Sequence, residues 1–303
     1  MKISVVLVTF NRLDCLKKSL EKFEKQILPP IRLIVVNNKS TDGTEEFLDE
    51  WKNIKISFEK IVITTEKNLG GAGGFATGLR KAIEYSDAEW IWLSDDDAFV
   101  AENTLKNLDA VYNRHLSSKN VSAVFTSVVN DGSYDLNHRR KVEKGLFGVK
   151  FQPISAKEYE EEYFKLDQGS YVGMLVKTEL VKKYGVTRED FFIYYDDTEH
   201  CERLRNYGDL YCIPSAKTFH GVAANTEFNW KSYYGLRNST ILIKEYYGNY
   251  AVMIHVLKRY LKEVSPFNRR NSKRVKNMLK AGLIDGLKGE QGLHELYKPG
   301  WKA

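Results

Sequence analysis

The chain has 303 residues, 43% hydrophobic and 13% aromatic, with 46 basic and 40 acidic side chains and a net charge of +6. That much apolar material fills a large core, which excludes a disordered chain, and so small a charge excess does not by itself point to nucleic acid. Cys15, Cys201 and Cys212 are too few and too scattered for a disulfide framework or a zinc ribbon, and they are expected as reduced thiols of a cytoplasmic protein. The apolar run after Met1-Lys2 stops at Phe10, too short for a secretory leader, and no stretch reaches the roughly 20 apolar residues of a membrane span.

Ile3–Phe10 is β-branched and apolar, the pattern of a central parallel strand. Leu13–Gln26 carries apolar residues at helical spacing, Pro29-Pro30 breaks the chain, and Ile31–Val36 is a second buried strand ending in Asn37-Asn38. A turn at Ser40–Gly43 leads into a helix over Thr44–Trp51, and Ile61–Thr64 is a third strand. This β-α-β alternation predicts a parallel sheet with crossover helices, whose ligands sit beyond the strand ends. Those ends are Thr9–Arg12, Asn37–Asp42, Asn68–Gly74 and Asp95–Asp97, all polar or glycine-rich.

Asn68–Gly78 reads N-L-G-G-A-G-G-F-A-T-G. Its glycines suit either a direct approach of backbone to ligand, with Asn68 and Gly71 as the candidates, or a tight helix start packed on the sheet. The match to a dinucleotide fingerprint is weak because it follows the third strand and not the first. Trp90–Ala98 reads W-I-W-L-S-D-D-D-A: a buried strand, in which Trp92 suits the core, running into three adjacent carboxylates. Mutual repulsion makes Asp95, Asp96 and Asp97 costly unless a cation or strong donors offset it, which points to a divalent metal and a nucleotide diphosphate. A solvated turn before a helix is the plainer alternative.

In this order, V-V-L-V-T-F-N-R, V-V-N-N-K-S-T-D-G-T, N-L-G-G-A-G-G-F and W-L-S-D-D-D-A resemble the nucleotide-sugar half of the family 2 inverting glycosyltransferases of the GT-A fold. The glycine motif with D-D-D-A most resembles the galactofuranosyltransferase and rhamnosyltransferase branch. The resemblance covers about residues 1–221. It implies that Thr9, Asn11, Arg12 and Asn37 hold the nucleoside, and that Asp95 and Asp96 contact the donor. Asp97, with Asp95 and His220, would carry Mn2+ or Mg2+. Asn37 stands where the family commonly has Asp, and Asn can donate as well as accept, so base preference is expected to differ.

The second half is read as a helix over Glu102–His115, a strand over Val121–Val129, and an irregular stretch over Asn130–Phe151 carrying the basic run His138–Lys141. That run suits a phosphate-bearing acceptor or a solvated surface. Ser170–Val176 is a strand in which Gly173 allows close approach, and in the resembled family this region lies under the acceptor pocket. Phe191–Arg205 places Asp196, Asp197, Glu199 and Glu202 at the start of a helix ending in Arg203 and Arg205, an order that also suits the helix dipole. By position in the family's second acidic motif, Asp197 is the catalytic base, Asp196 assists acceptor binding, and Glu199 orients or contacts the acceptor.

Leu210–Phe219 is a final strand before His220-Gly221. From Thr226 the composition turns aromatic, with Phe228, Trp230, Tyr233, Tyr234, Tyr246, Tyr247, Tyr250 and Tyr260, and then basic from Lys258 to Lys280. This suits the surface of an anionic membrane, a homodimer interface, or a nucleic-acid patch, the last disfavoured.

The expected architecture is a mixed-sheet, Rossmann-like α/β domain of GT-A type over 1–224 and a helical region over 225–303. The expected function is metal-dependent, inverting transfer of a hexosyl group, galactofuranosyl or rhamnosyl, from a nucleotide diphosphate sugar, UDP-linked, to a hydroxyl. The acceptor would be a growing cell-surface glycan or a polyprenyl-diphosphate-linked saccharide, met by a cytoplasmic protein peripheral to the inner face of the membrane. The competing classes are a non-catalytic nucleotide-sugar- or glycan-binding module and a nucleotidyltransferase; the second acidic motif argues against both.

Overall fold

The computed structural model describes residues 1–221 and 227–302. The boundary expected between 224 and 225 lies outside the described residues. The first half runs β1 (Ile3–Thr9), α1 (Leu13–Glu24), β2 (Arg32–Asn37), α2 (Thr44–Trp51), β3 (Glu59–Thr64), α3 (Gly70–Ala82) and β4 (Trp90–Asp95). After β5 (Phe99–Val100), α4 (Thr104–Val111) continues as a π turn to Leu116. Then come β6 (Val121–Asn130), β7 (Ser133–Tyr134), β8 (Arg139–Gly145), β9 (Gly148–Pro153), β10 (Phe164–Leu166), β11 (Gln168–Gly169) and β12 (Met174–Lys177). The chain closes with α5 (Thr178–Tyr184), α6 (Asp196–Leu204), β13 (Asp209–Phe219), α7 (Trp230–Arg259) and α8 (Lys273–Lys288).

Every residue of β1 is buried, because helices cover both faces of the sheet. Its side chains alternate between two cores. Ile3, Val5 and Leu7 meet Phe23, Trp92 and the α1 side, while Val6 and Val8 meet Phe75 and Leu79 of α3. Strand order is β10-β13-β6-β12-β4-β1-β2-β3, with β4, β1, β2 and β3 parallel and β12 antiparallel to both β4 and β6. The reversal at β12 makes the sheet mixed, as the family resemblance implies.

The glycines of α3 divide by position. A Cβ on Gly78 would lie 2.2 Å from Val6 Cγ1, and one on Gly74 2.5 Å from Val8 Cγ1, so these two let the helix sit down on β1. Gly71 meets nothing within 4 Å, at the open start of the helix. The packing reading of the glycine motif holds for Gly74 and Gly78, and Gly71 has open space beside it.

The stretch expected to be irregular over 130–151 is instead ordered. β8 and β9 form a hairpin from Arg140↔Pro153 to Gly145↔Gly148, and β8 also pairs with β11. Its strands are too polar to show an apolar alternation, and Gly132 and Gly148, both at positive φ, are turn residues and not signs of a loop. Val149 and Phe151 of the hairpin pack against Leu242, Ile243, Ala251 and Val252 of α7. α7 itself breaks at Gly248, where φ is +83° and ψ 178°. Of the aromatics expected to form an exposed face, Tyr233 and Tyr234 are core, and Phe228, Trp230, Tyr246 and Tyr247 are half-buried against it. Among the described residues no helix is long and apolar enough to cross a membrane.

Candidate active site

A cavity of about 710 Å³ opens where the strand ends predict it. Thr9 and Arg12 after β1, Asn68 and Gly71 at the start of α3, and Asp95, Asp96 and Asp97 at the end of β4 line it. So do Asp196 and Asp197 at the start of α6, His138 and Arg140 beside and on β8, His220 after β13, and Trp230 and Lys231 of α7. The two acidic clusters, a hundred residues apart in sequence, thus face one space.

In the first cluster, burial with the neighbouring Asp97 and Asp96 charges pushes the Asp95 carboxyl up to about 7. Burial pushes Asp96 up to about 6, although Thr9 Oγ1 donates to its Oδ2 at 2.7 Å. Asp97 goes the other way. Burial alone would raise it, but His220, with Nε2 3.5 Å from Oδ1, and Arg12, whose guanidinium is bonded to Oδ2, hold it below the usual range. Arg12 also reaches Asp96 at 3.5 Å, so one arginine spans two of the three acids.

The residues present fit a divalent cation of the kind that shares its shell with phosphate. Asp95 and Asp97 supply hard oxygens and His220 an imidazole nitrogen. Among the described residues no three His, Cys, Asp or Glu side chains gather closely enough to hold a metal alone. An ion here would need diphosphate oxygens to complete its shell, as magnesium sites commonly do.

The second cluster opens α6 from a strained approach. Phe192, Tyr194 and Tyr195 all have positive φ, costly for non-glycine residues, and three within four positions require outside support. Asn238 of α7 supplies it, donating through Nδ2 to the carbonyls of Phe191, Ile193 and Tyr194 at 2.9–3.0 Å. Arg237 adds a bond to Phe191 O at 3.2 Å, and Ala72 N of α3 donates to Phe192 O at 3.1 Å. The loop aims Asp197 into the cavity. Its Oδ1 accepts from Thr198 N at 2.6 Å and from Thr198 Oγ1 at 3.0 Å. Burial raises the Asp197 carboxyl above its ordinary value, against the pull of the Arg140 charge and the Thr198 bonds. Asp196 is raised well above its ordinary value by burial and by Asp197.

Four predicted site residues do not reach the cavity wall. Asn37 is fully buried, accepting from Ser40 N at 3.0 Å and facing Thr64, and its neighbour Asn38 lines the cavity instead. Asn11 is turned toward the α2 side, where its Oδ1 accepts from Thr41 N at 2.7 Å. Glu199 is 3% exposed, paired with Arg203 at 3.2 Å and bonded by Tyr246 Oη at 2.7 Å, so it anchors α6 to its neighbours. Gly173, at φ +75°, sits against Thr126 of β6 and Thr218 of β13, and a Cβ there would lie 2.1 Å from Thr126 Oγ1.

Other residues on the wall were not named one by one from the sequence, although the basic run His138–Lys141 was read as suiting a phosphate-bearing acceptor or a solvated surface. The basic run splits by strand alternation. Arg139 points inward, fully buried, and donates to the carbonyls of Thr126, His138 and Val172. His138 and Arg140 point to the cavity. Arg140 Nη2 donates to Thr198 Oγ1 at 3.3 Å, while its buried Nε has no partner and no carboxylate lies within ion-pair distance among the described residues. Period-two alternation was the available signal, once 139–145 is read as a strand. Ser170 and Tyr171 lie in the strand read as under the acceptor pocket, Trp230 was read only among the aromatics of the C-terminal region, and Lys231 carried no local signal.

The family model described as Glycosyl transferase family 2 matches residues 4–185, more than half of the chain. The chain belongs to glycosyl transferase family 2. This family 2 chain is 35% identical to galactofuranosyltransferase GlfT1 of Mycolicibacterium smegmatis over 103 residues, 34% of the chain and 32% of GlfT1. That match spans about a third of the relative's length. It is 26% identical to the dTDP-rhamnosyl transferase RfbF of Shigella flexneri over 255 residues, 80% of each chain. The S. aureus TarS 1-349 structure in complex with UDP-GlcNAc superposes with a TM-score of 0.61 at 16% identity, over 96% of this chain and 82% of that one. GalNAc-T7 with UDP, GalNAc and Mn2+ gives 0.65 at 15% identity, over 93% and 54%. These two show the fold: a mixed α/β sheet of the GT-A kind with a helical C-terminal region.

Proposed function

We propose that the protein is a glycosyltransferase that moves a hexosyl group from a UDP-linked sugar to a hydroxyl of a growing cell-surface glycan or lipid-linked saccharide, with inversion. The observation that carries this reading is that Asp95–Asp97 and Asp196-Asp197 line one cavity. An acceptor hydroxyl in that cavity gives its proton to Asp197 as its oxygen attacks the anomeric carbon. The bond from that carbon to the diphosphate breaks on the opposite face, and the nucleoside diphosphate leaves. Asp97, with Asp95 and His220, would hold Mn2+ or Mg2+, whose charge offsets the negative charge growing on the leaving group. Thr9 and Arg12 bind the donor from the β1 end, Asn68 and Gly71 from the α3 end, and Asp96 is held by Thr9 to contact it. Asp196 serves the acceptor side.

Galactofuranosyl is the first candidate sugar, supported by the GlfT1 match, and rhamnosyl the second, supported by the longer RfbF alignment. The UDP linkage draws support from neighbours of this fold that bind UDP or UDP-sugars. Free Cys15, Cys201 and Cys212 favour the cytoplasmic side. We propose that residues 1–224 form the transferase domain and residues 225–303 a helical region completing it.

Asp197→Asn is expected to lower turnover by at least about a thousandfold while leaving UDP binding by calorimetry nearly unchanged. Normal turnover in that variant would remove the base assignment. A chelator should abolish transfer and added manganese or magnesium restore it. A donor panel of UDP-galactofuranose, UDP-galactopyranose, UDP-glucose and dTDP-rhamnose then separates the sugars, and donor binding without turnover across acceptors would favour a non-catalytic module.

A further inference from the structure

The tip of the β8–β9 hairpin exposes two large apolar side chains, Leu146 at 82% and Phe147 at 74%. The tip is pinned to α7. Tyr250 Oη donates to Leu146 O at 2.7 Å, and Lys258 Nζ donates to Phe147 O at 2.8 Å. The Gly148 backbone sits so close to the helix that a Cβ there would lie 3.1 Å from Ile254 Cγ2. With its carbonyls bonded and its glycine packed, the hairpin holds Leu146 and Phe147 outward on a fixed base.

Along α7 and the turn that follows it, Tyr250, Met253, Leu257 and Leu261 are each more than half exposed. Their spacing of three, four and four puts them on one helical stripe, beside the hairpin tip. Phe267, at 91% exposed, follows the stripe. The surroundings are basic. From Tyr250 to Lys280 the chain holds nine Lys or Arg and one acidic residue, Glu263. Glu263 is buried and paired with Arg259 at 2.6 Å. Lys262, Arg269 and Arg270 are exposed and in no ion pair among the described residues, and Lys144 and Lys150 flank the hairpin tip.

We propose that this ridge, Leu146-Phe147 with the Tyr250–Leu261 stripe, docks the protein on an anionic lipid surface. An apolar stripe enters the acyl boundary while the flanking lysines and arginines meet lipid phosphates. A second copy of the chain fits less well, because two-fold pairing of this face would set one basic rim against another. Nucleic acid would use the rim but leave Met253, Leu257 and Leu261 without partners. The inference stands apart from the transfer reaction, since its test reads binding alone.

The full chain is floated with vesicles of phosphatidylcholine plus phosphatidylglycerol, and with phosphatidylcholine alone. Binding to the anionic vesicles is expected to exceed the other by at least about tenfold and to weaken with salt. Phe147→Ser with Leu257→Ser, and separately Lys262→Glu with Arg270→Glu, should each lose most of that binding. An unchanged melting temperature and unchanged UDP binding would show each variant to be folded. Absence of the wild type from floated anionic vesicles, or equal flotation of folded variants, overturns the proposal. So does a dimer in sedimentation that Leu257→Ser dissociates.

Discussion

At the residue scale, Asp197 sits under opposing influences. Burial raises its carboxyl, which disfavours the ionised form a base requires, while the Arg140 charge and the Thr198 bonds favour that form. Arg140 reaches it through Thr198, at 3.3 Å, and is committed to no carboxylate of its own among the described residues. Removing the cation leaves burial less opposed, so the proposed base stays protonated to higher pH. Arg140→Met is therefore expected to move the acidic limb of the kcat/KM profile to higher pH, with activity lost on the acid side and partly recovered as the pH is raised. Arg140→Lys should keep most of the wild-type profile, and a limb that stays in place in Arg140→Met would reduce Arg140 to a packing residue. Asp197 was legible because its neighbours in sequence form a motif. Arg140 was not, because its meaning lies in Thr198, 58 positions away.

At the scale of single elements, α3 carries packing at Gly78 and the proposed donor approach at Gly71 on one short helix. Alanine at Gly78 puts a methyl 2.2 Å from Val6 Cγ1 and 3.2 Å from Val36 Cγ2, both on buried strands that cannot give way. Overpacking of that kind costs about 1–3 kcal/mol, so Gly78→Ala should lower Tm by several degrees. Alanine at Gly71 meets nothing within 4 Å, and helical propensity favours it over glycine. Gly71→Ala should leave Tm unchanged or raised and increase KM for the donor, because only the cavity loses room. Thermal melts and donor titrations of the two variants check this, and a destabilised Gly71→Ala would reverse the assignment. The first strands and helices were legible because each buries a stripe or a whole strand of apolar residues. β8 and β9 were not, because they are held by a ladder, by turn glycines and by α7 packing, none of which leaves an apolar period in the sequence.

For the whole molecule, the question is whether the helical region is an appendage or part of the site. The family match ends at residue 185, before the second acidic cluster, and residues 186–195 have no regular element beyond a short 3₁₀ turn. Beside the bond from Ala72 N of α3, what holds Phe192, Tyr194 and Tyr195 in left-handed conformations comes from α7: Asn238 bonds the carbonyls of Phe191, Ile193 and Tyr194, and Arg237 bonds Phe191 O again, both side chains fully buried. Phe192 packs with Tyr233, Tyr234 and the α8 residues Val275, Met278 and Leu279, and Trp230 and Lys231 line the cavity. Sequence composition marked this region by its aromatics and bases but could not show that the aromatics face the first domain, since both faces of such a helix look alike until the strained loop is placed beneath it. A chain ended at residue 221 would expose Phe191 and Phe192 and leave the strain unopposed. It should express as an aggregating or molten species, read by dye binding and by lost near-ultraviolet circular dichroism. The same dependence is testable without truncation. Asn238→Ala unties the carbonyls of Ile193 and Tyr194, while Phe191 O keeps its bond from Arg237; each carbonyl left unsatisfied costs about 1–3 kcal/mol, so Tm should fall. Turnover should fall more than UDP affinity, because the loop aims Asp197 while Thr9, Arg12 and Gly71 stay where β1 and α3 put them. Equal losses in binding and turnover would mean that the helices support the sheet as a whole and not the loop.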